Sequence, residues 1–196
     1  MNILEQFNQA MADVVGRALP SLVQVHSGER SGGAGAIWRH DGLILTNAHV
    51  VAPSLRHRQS PDVILADGRR WSARVVAFDQ ERDLAALKID AHDLPPLDLG
   101  DARQVRPGDW VTALGHPWGV RGAATSGAVI AVGQPTDVPY RGEMIQVGLH
   151  MRPGHSGGAL VDRNGRLVGI NCLIAGPDVG LAIPVNTAMR FLRDTL

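Results

Sequence analysis

The sequence contains a single cysteine, Cys172, so the chain cannot close an intramolecular disulfide. Its stability must therefore come from packing, for which 196 residues are enough. Aromatic residues make up only 4% of the chain, whereas glycine (23) and proline (12) are frequent. This composition is typical of many short strands joined by turns. Cys172 lies in a strand-like run, which favours a small apolar role for it.

The sequence also lacks net charge and long apolar runs. Lysine plus arginine (19) equals aspartate plus glutamate (19), so no net field would draw the chain to nucleic acid or an anionic membrane. No stretch approaches the ~18–20 apolar residues of a membrane-spanning helix, and no signal-peptide pattern opens the sequence. We expect no membrane insertion and, for the sequence as it stands, a cytoplasmic protein. Removal of a targeting segment would instead indicate a periplasmic or secreted one.

Apolar periodicity divides the chain into three parts. Residues 1–19 carry apolar side chains at steps of three and four, which predicts an amphipathic helix ended by Pro20. Beyond it the period changes to two, which predicts strands. The strands fall into two sets, which indicate a first β-barrel lobe with its linker over 20–103 and a second lobe with a C-terminal helix over 104–196. We therefore predict an all-β protein of two barrels, each of about six strands.

The C-terminal helix is predicted from a local signal. Asn186 is expected to cap its first turn, because asparagine side chains accept hydrogen bonds from free backbone N–H groups there. The apolar residues Met189, Phe191 and Leu192 are expected to face inward.

One glycine-rich turn has the composition that a serine nucleophile needs. Ser156 lies in the run RPGHSGGA (152–159). Glycine allows the chain to pass close to a bound substrate and to adopt dihedral angles closed to other residues. The backbone N–H groups of Gly154 and Ser156 would then point at one position, where a carbonyl oxygen becomes negative during acyl transfer.

Two upstream segments supply a histidine and a carboxylate. His49 lies in TNAHVV (46–51), and Asp83 precedes the strand-like LAAL (84–87). The order His, Asp, Ser is that of chymotrypsin-type proteases. Asp79 and Asp90 compete with Asp83, and each segment alone would also fit a capping histidine, a surface acid or a loop serine. Together the three segments predict a triad.

The remaining histidines raise zinc binding as an alternative. None of the seven histidines besides His49 forms a His-Glu-x-x-His pattern, and no cysteine pair accompanies them. We expect no metal and no cofactor.

Four segments carry a resemblance to a known family. LTNAHVV (45–51), RDLAALKI (82–89), PGHSGGAL (153–160) and GLAIP (180–184) resemble the protease domain of the HtrA (DegP/DegS/DegQ) family, over nearly the whole chain from about Leu19. The resemblance implies a chymotrypsin/trypsin-like double β-barrel with its site in the cleft between the lobes. It implies a serine endopeptidase acting on unfolded or damaged proteins and peptides. No PDZ domain is expected after the final helix.

The resemblance also implies a substrate pocket. It places Met151 at the pocket base and the strand containing Asn171, Cys172 and Leu173 beside the substrate backbone. No acid stands at the pocket base, so we expect cleavage after small or medium aliphatic residues rather than after arginine or lysine.

The chain departs from the family around the reactive turn. His155 replaces the usual asparagine before the serine, and IQVGLHMRP (145–153) differs from the family's pattern just before the turn. Whether the oxyanion hole is assembled at rest is therefore open. The alternative function is a protease-fold binding or chaperone-like module with a resting or incompetent site.

Assembly is a further expectation from the resemblance. HtrA protease domains typically trimerise through N-terminal segments. Here Ile3 and Phe7 on the opening helix would either mediate a homotrimer or pack on the chain's own barrel.

Overall fold

Two antiparallel sheets make up most of the fold. The computed structural model describes residues 2–28, 32–136, 140, 142–176 and 178–196. Helix α1 (Ile3–Ala18) precedes the first sheet, helix α2 (Ala48–Arg56) interrupts it, and helix α3 (Val185–Thr195) ends the fold. The first sheet consists of β1 (Leu22–His26), β2 (Gly32–Arg39), β3 (Leu43–Thr46), β4 (Asp62–Ile64), β5 (Arg70–Ser72), β6 (Arg74–Asp79) and β7 (Leu84–Lys88). The second consists of β8 (Trp110–Gly115), β9 (Ala123–Gly133), β10 (Met144–Gly148), β11 (Ala159–Val161), β12 (Leu167–Gly176) and β13 (Val179–Pro184).

The first sheet is curled without being closed by hydrogen bonds. Its strand order is β5-β4-β1-β2-β3-β7-β6, so β5 and β6 form its two edges. Only Ala73 separates these strands along the chain, and its N–H donates to the Pro61 carbonyl at 2.8 Å. The sheet must therefore curl until its edges meet at this buried residue. The expectation of a barrel of about six strands is corrected here to seven strands in a half-barrel.

The second sheet is a closed six-stranded barrel. Its order is β10-β13-β12-β11-β8-β9, and β9 pairs with both β8 and β10. Apolar side chains that alternate along these strands fill the interior, including the fully buried Ile145, Leu160 and Leu167.

Helix α1 begins with a capping box and packs with its second half. Glu5 N–H donates to Asn2 Oδ1 at 2.9 Å, and Asn2 N–H donates to the Glu5 carboxylate at 2.9 Å. Val14 is buried in the core of the second lobe, whereas Ile3 is 80% exposed. The ring of Phe7 packs edge-on against Trp110 with centroids 5.7 Å apart. One of the two predicted contact residues thus touches the chain's own barrel.

Helix α3 begins earlier than Asn186, which does not cap it. Pro184 ends β13 in an extended conformation and the helix starts at Val185 without a side-chain cap. Asn186 instead accepts a hydrogen bond from Ala102 N–H at 2.8 Å and so ties the linker to the helix. Phe191 and Leu192 are buried as expected, but Met189 is 44% exposed.

Candidate active site

His49 lies in the first turn of α2, directly after β3. Asn47 ends the extended segment before this helix, and its side-chain amide donates to the Asp83 carbonyl at 3.0 Å. This contact joins the histidine segment to the start of β7, which pairs with β3. The sequence did not predict α2, because Pro53 lies inside it and argues against a helix.

Asp83 contacts His49 with both carboxylate oxygens. Oδ1 accepts the His49 backbone N–H at 2.8 Å, and Oδ2 lies 2.7 Å from His49 Nδ1. Asp83 is 2% exposed and has a φ of +52°, a left-handed conformation that is uncommon outside glycine. The two contacts fix the ring orientation and assign the proton on Nδ1, which leaves Nε2 as the free acceptor. The other candidate acids, Asp79 and Asp90, make no such contact.

The backbone of the serine turn is almost fully hydrogen-bonded. The Gly154 carbonyl accepts from His116 N–H at 2.9 Å, and the Ser156 carbonyl accepts from Ala34 N–H of β2 at 2.8 Å. His155 N–H donates to the Arg152 carbonyl at 3.0 Å. Within the described residues, the N–H groups of Gly154 and Ser156 donate to no protein acceptor. Gly154 and Ser156 are only partly buried, so these two N–H groups are open to solvent or to a ligand.

Gly154 is needed for this conformation. Its φ is +105°, and a Cβ at this position would lie 2.5 Å from the His116 carbonyl oxygen. Any other residue would both strain the backbone and push the turn away from the loop that follows β8.

The hydroxyl of Ser156 points to the second lobe. Its Oγ donates to the Cys172 carbonyl at 2.9 Å, and among the described residues it makes no hydrogen bond to His49. Both His49 and Ser156 line one cavity, so a rotation about the serine Cα–Cβ bond would redirect the hydroxyl towards the histidine.

Cys172 also contacts Asp83 with its side chain. Its Sγ lies 3.3 Å from Asp83 Oδ2, and the thiol is buried. Burial, followed by the charge of Asp83, raises the pKa of this thiol far above its ordinary value. It therefore stays protonated and donates to the carboxylate. No local pattern predicts this contact, since a lone cysteine in a strand is typical of core packing.

A cavity of about 270 Å³ lies beside Ser156. Met151 and Leu173 contribute apolar side chains to it, and Met151 is 4% exposed. No carboxylate is among the described residues that line it. They are His49, Tyr140, Met151, Arg152, Pro153, His155, Ser156, Cys172, Leu173 and Ile174.

Tyr140 and His49 line both this cavity and a larger one of about 600 Å³, which Asp83 also lines. Burial, with a further contribution from the Asp83 charge, raises the pKa of Tyr140, so its hydroxyl stays protonated.

Asn171 differs from the expectation of a substrate contact. Its N–H donates to the Gly158 carbonyl at 2.9 Å and its carbonyl accepts from Gly157 N–H at 2.8 Å. Its side-chain amide donates to the Leu114 and Ala159 carbonyls, both at 3.0 Å. Because these groups are occupied inside the barrel, Asn171 supports the serine turn and is not available to pair with a substrate.

Known proteins resemble the chain in both sequence and structure. A family profile described as a trypsin-like peptidase domain matches residues 33–170. A probable periplasmic serine endoprotease DegP-like of Halomonas elongata is 41% identical over 184 residues, which cover 87% of this chain and 36% of that protein. The putative serine protease HhoB of Synechocystis is 36% identical over 168 residues, with coverages of 83% and 39%. The chain thus spans little more than a third of the length of these curated relatives.

Solved structures of an HtrA-type protease have the same fold. AlgW with a tripeptide superimposes with a TM-score of 0.86 at 37% identity, covering 93% of this chain and 62% of that one. AlgW with a decapeptide gives 0.86 at 31% identity, covering 94% and 66%. The chain belongs to the trypsin-like peptidase family, and the predicted resemblance to HtrA-type proteases is confirmed. In the described residues, no helix is long and apolar enough to cross a membrane.

Proposed function

We propose that the chain is a serine endopeptidase domain in which Ser156 is the nucleophile, His49 the general base and Asp83 its orienting partner. The observation that carries this proposal is the backbone of the serine turn, where, among the described residues, only the N–H groups of Gly154 and Ser156 lack an acceptor. One N–H group belongs to the nucleophile itself and the other to the residue two positions before it, so both lie where an oxyanion-binding pair is needed.

The reaction follows from these groups. Ser156 Oγ attacks the scissile carbonyl while His49 Nε2 takes the hydroxyl proton, and the carbonyl π electrons move to the oxygen held by the two N–H groups. Asp83 stabilises the imidazolium through the 2.7 Å contact at Nδ1. When the C–N bond breaks, His49 returns its proton to the leaving amine. Water, deprotonated by the same Nε2, then releases the acyl group and restores Ser156.

Substrates are proposed to be extended segments of unfolded or damaged proteins. In β12, residues beyond Asn171 pair only with β13, so the other edge of this strand is open beside Ser156. A peptide can add to such an edge through main-chain hydrogen bonds. The cavity of about 270 Å³, with Met151 and Leu173 in its lining, fits a small or medium aliphatic side chain before the cut. The solved AlgW complexes with peptides support this class of ligand.

A degradation assay tests the function. Wild-type protein should convert casein to fragments over hours, and Ser156→Ala should not. Ser60→Ala, which changes an exposed serine, is the matched control and should behave as wild type. Intact casein in all three reactions would favour the alternative, a binding or chaperone-like module. That module would still suppress aggregation of an unfolded protein after Ser156→Ala.

The assembly and compartment are proposals of the same kind. Ile3 and Leu4 expose apolar side chains at the start of α1, and burying them against other copies would form the homotrimer that the family implies. Light scattering should give a trimer for the full chain and a smaller species after deletion of residues 1–18. A monomer in both cases excludes this assembly.

The relative from Halomonas elongata is named periplasmic, which favours that compartment, and fractionation of the natural host tests it.

A further inference from the structure

Two histidines that the proposed mechanism does not use lie buried beneath the serine turn. His155 is 3% exposed and His116 is 8% exposed. His116 holds the turn through its backbone N–H, which donates to the Gly154 carbonyl at 2.9 Å. His155 packs so closely on Gly115 that a Cβ there would lie 2.6 Å from its Cα. Both residues are therefore part of the support for the two free N–H groups.

The His155 side chain closes a ring over the turn that precedes it. Its Nδ1 lies 3.1 Å from Arg152 N and 3.1 Å from the Arg152 carbonyl oxygen. The N–H of His155 donates to the same carbonyl at 3.0 Å. Residues 152–155 are thus fixed by the backbone and by one side-chain atom. The other ring nitrogen, Nε2, is buried and has no partner in the described part of the chain.

We propose that His155 is a positioning residue for this reaction, and that its neutral imidazole holds the turn so that the Gly154 and Ser156 N–H groups point at one position. The inference rests on the proposed function, because positioning matters only if these groups bind an oxyanion. The turn requires a polar atom at the position of His155 Nδ1. An asparagine side chain has a polar atom at the same number of bonds from Cα. A leucine side chain branches in the same way but has only carbon atoms there.

The surroundings of His155 disfavour a charge on the ring. Burial lowers the pKa of His155 below its ordinary value, and burial lowers the pKa of His116 to about 4. Among the described residues, the charged and titratable groups that act on His116 are Arg121, His155 and His26, and those that line the cavity beside His155 are His49, Tyr140, Arg152 and Cys172. None of these groups is a carboxylate, so none of them could form an ion pair with an imidazolium at 155. A protonated Nδ1 can no longer accept the Arg152 N–H, so protonation would remove that contact and weaken the hold on the turn.

The test compares His155→Asn with His155→Leu on a peptide substrate at pH 7.5. His155→Leu should lower kcat by about 10² with little change in KM, since misplacing an oxyanion donor costs about 10²–10³ in rate. His155→Asn should recover most of that loss. His92→Ala, at an exposed histidine, is the control. Wild-type kcat in His155→Leu, or an equal loss in both variants with unchanged Tm, would overturn the proposal.

A pH profile supplies a second readout that a structural role would not change. In the wild type, the fall of log kcat towards low pH should become steeper by about one unit of slope as His155 gains a proton. In His155→Asn this additional steepening should be absent. Equal slopes would overturn the proposal, and this comparison remains decisive if His155→Leu does not fold.

Failure of the proposed function would look different. Wild-type protein would then neither cleave peptides nor react with a fluorophosphonate at Ser156. If wild type and His155→Leu react with the fluorophosphonate at equal rates, only the positioning role fails.

Discussion

The thiol of Cys172 lies 3.3 Å from Oδ2 of Asp83, the oxygen that also contacts His49 Nδ1. Its carbonyl accepts the Ser156 hydroxyl, so one residue touches both the acid and the nucleophile of the proposed triad. Cys172, which the sequence indicated as an apolar core residue, therefore helps to support the proposed site.

The effect of replacing the Cys172 thiol on the rate should depend on whether the new side chain can donate a hydrogen bond. Cys172→Ala removes a donor to a buried carboxylate and should lower kcat/KM about fivefold, the equivalent of roughly 1 kcal/mol. Cys172→Ser retains a donor and should keep at least the wild-type rate. Steady-state kinetics with Tm measurements check both. Equal rates for the alanine and wild-type proteins would show that the thiol does not assist Asp83.

The three triad residues should act as a unit. Ser156→Ala, His49→Ala and Asp83→Asn should each lower kcat by several orders of magnitude, because each removes a step that the others need. The double variant Ser156→Ala/His49→Ala should be almost as active as Ser156→Ala alone. Kinetics on one peptide substrate measure this. A double variant that loses the product of the two single effects would argue against a shared mechanism.

Gly154→Ala should strongly lower activity, through a clash as well as through backbone strain. A Cβ at 154 would lie 2.5 Å from the His116 carbonyl oxygen, so the turn and its N–H donor must shift. Gly108→Ala is the matched control, because Gly108 has a φ of +92° and no atom within 4 Å of the added Cβ. We expect a loss of about 10²–10³ in kcat for Gly154→Ala and near wild-type kcat for Gly108→Ala. Comparable losses would assign the effect to strain alone.

His116 should make folding stability depend on pH. Its pKa is lowered from 6.5 to about 4, mainly by burial. Above pH 6.5 both folded and unfolded chains carry it neutral. Between pH 6.5 and 4 the unfolded chain binds a proton that the folded chain does not, so the free energy of unfolding falls as pH falls.

The size of this effect is about 1.4 kcal/mol per pKa unit, or up to about 3 kcal/mol by pH 4. Urea unfolding across this range measures it. His116→Asn places an oxygen where Nδ1 accepts the Gly122 N–H, so this variant should fold with a flatter pH dependence. An unchanged pH dependence in His116→Asn would contradict the assignment.

Local patterns were enough to predict most of the strands. The apolar run LILT of β3 and the turn around Gly154 each depend on residues close in sequence. Segments of this kind also indicated His49, Asp83 and Ser156 as a triad, and the structure brings His49 and Asp83 into contact. The family resemblance then gave the two-lobe fold, which the comparisons confirm.

Features that depend on contacts between residues distant in sequence could not be predicted from local patterns. The curl of the first sheet depends on its strand order, which places β5 and β6 at opposite edges although only Ala73 separates them along the chain, and no local pattern encodes that order. Asn186 looked like a helix cap but bonds to the linker at Ala102, 84 residues away in sequence. The Cys172 contact with Asp83 spans 89 residues, and His155 gained its role only when the structure buried it beside His116.

Covalent labelling distinguishes a Ser156 nucleophile that is activated by its surroundings from an ordinary serine. After incubation with a fluorophosphonate, peptide mass spectrometry should find the phosphonyl group on Ser156 alone. The labelling rate should fall by at least about 10² in His49→Ala, because a serine hydroxyl is a weak nucleophile without its base. Ser156→Ala should remain unlabelled. A wild-type protein that stays unmodified at Ser156, or equal labelling with and without His49, would show that Ser156 is not activated by this histidine.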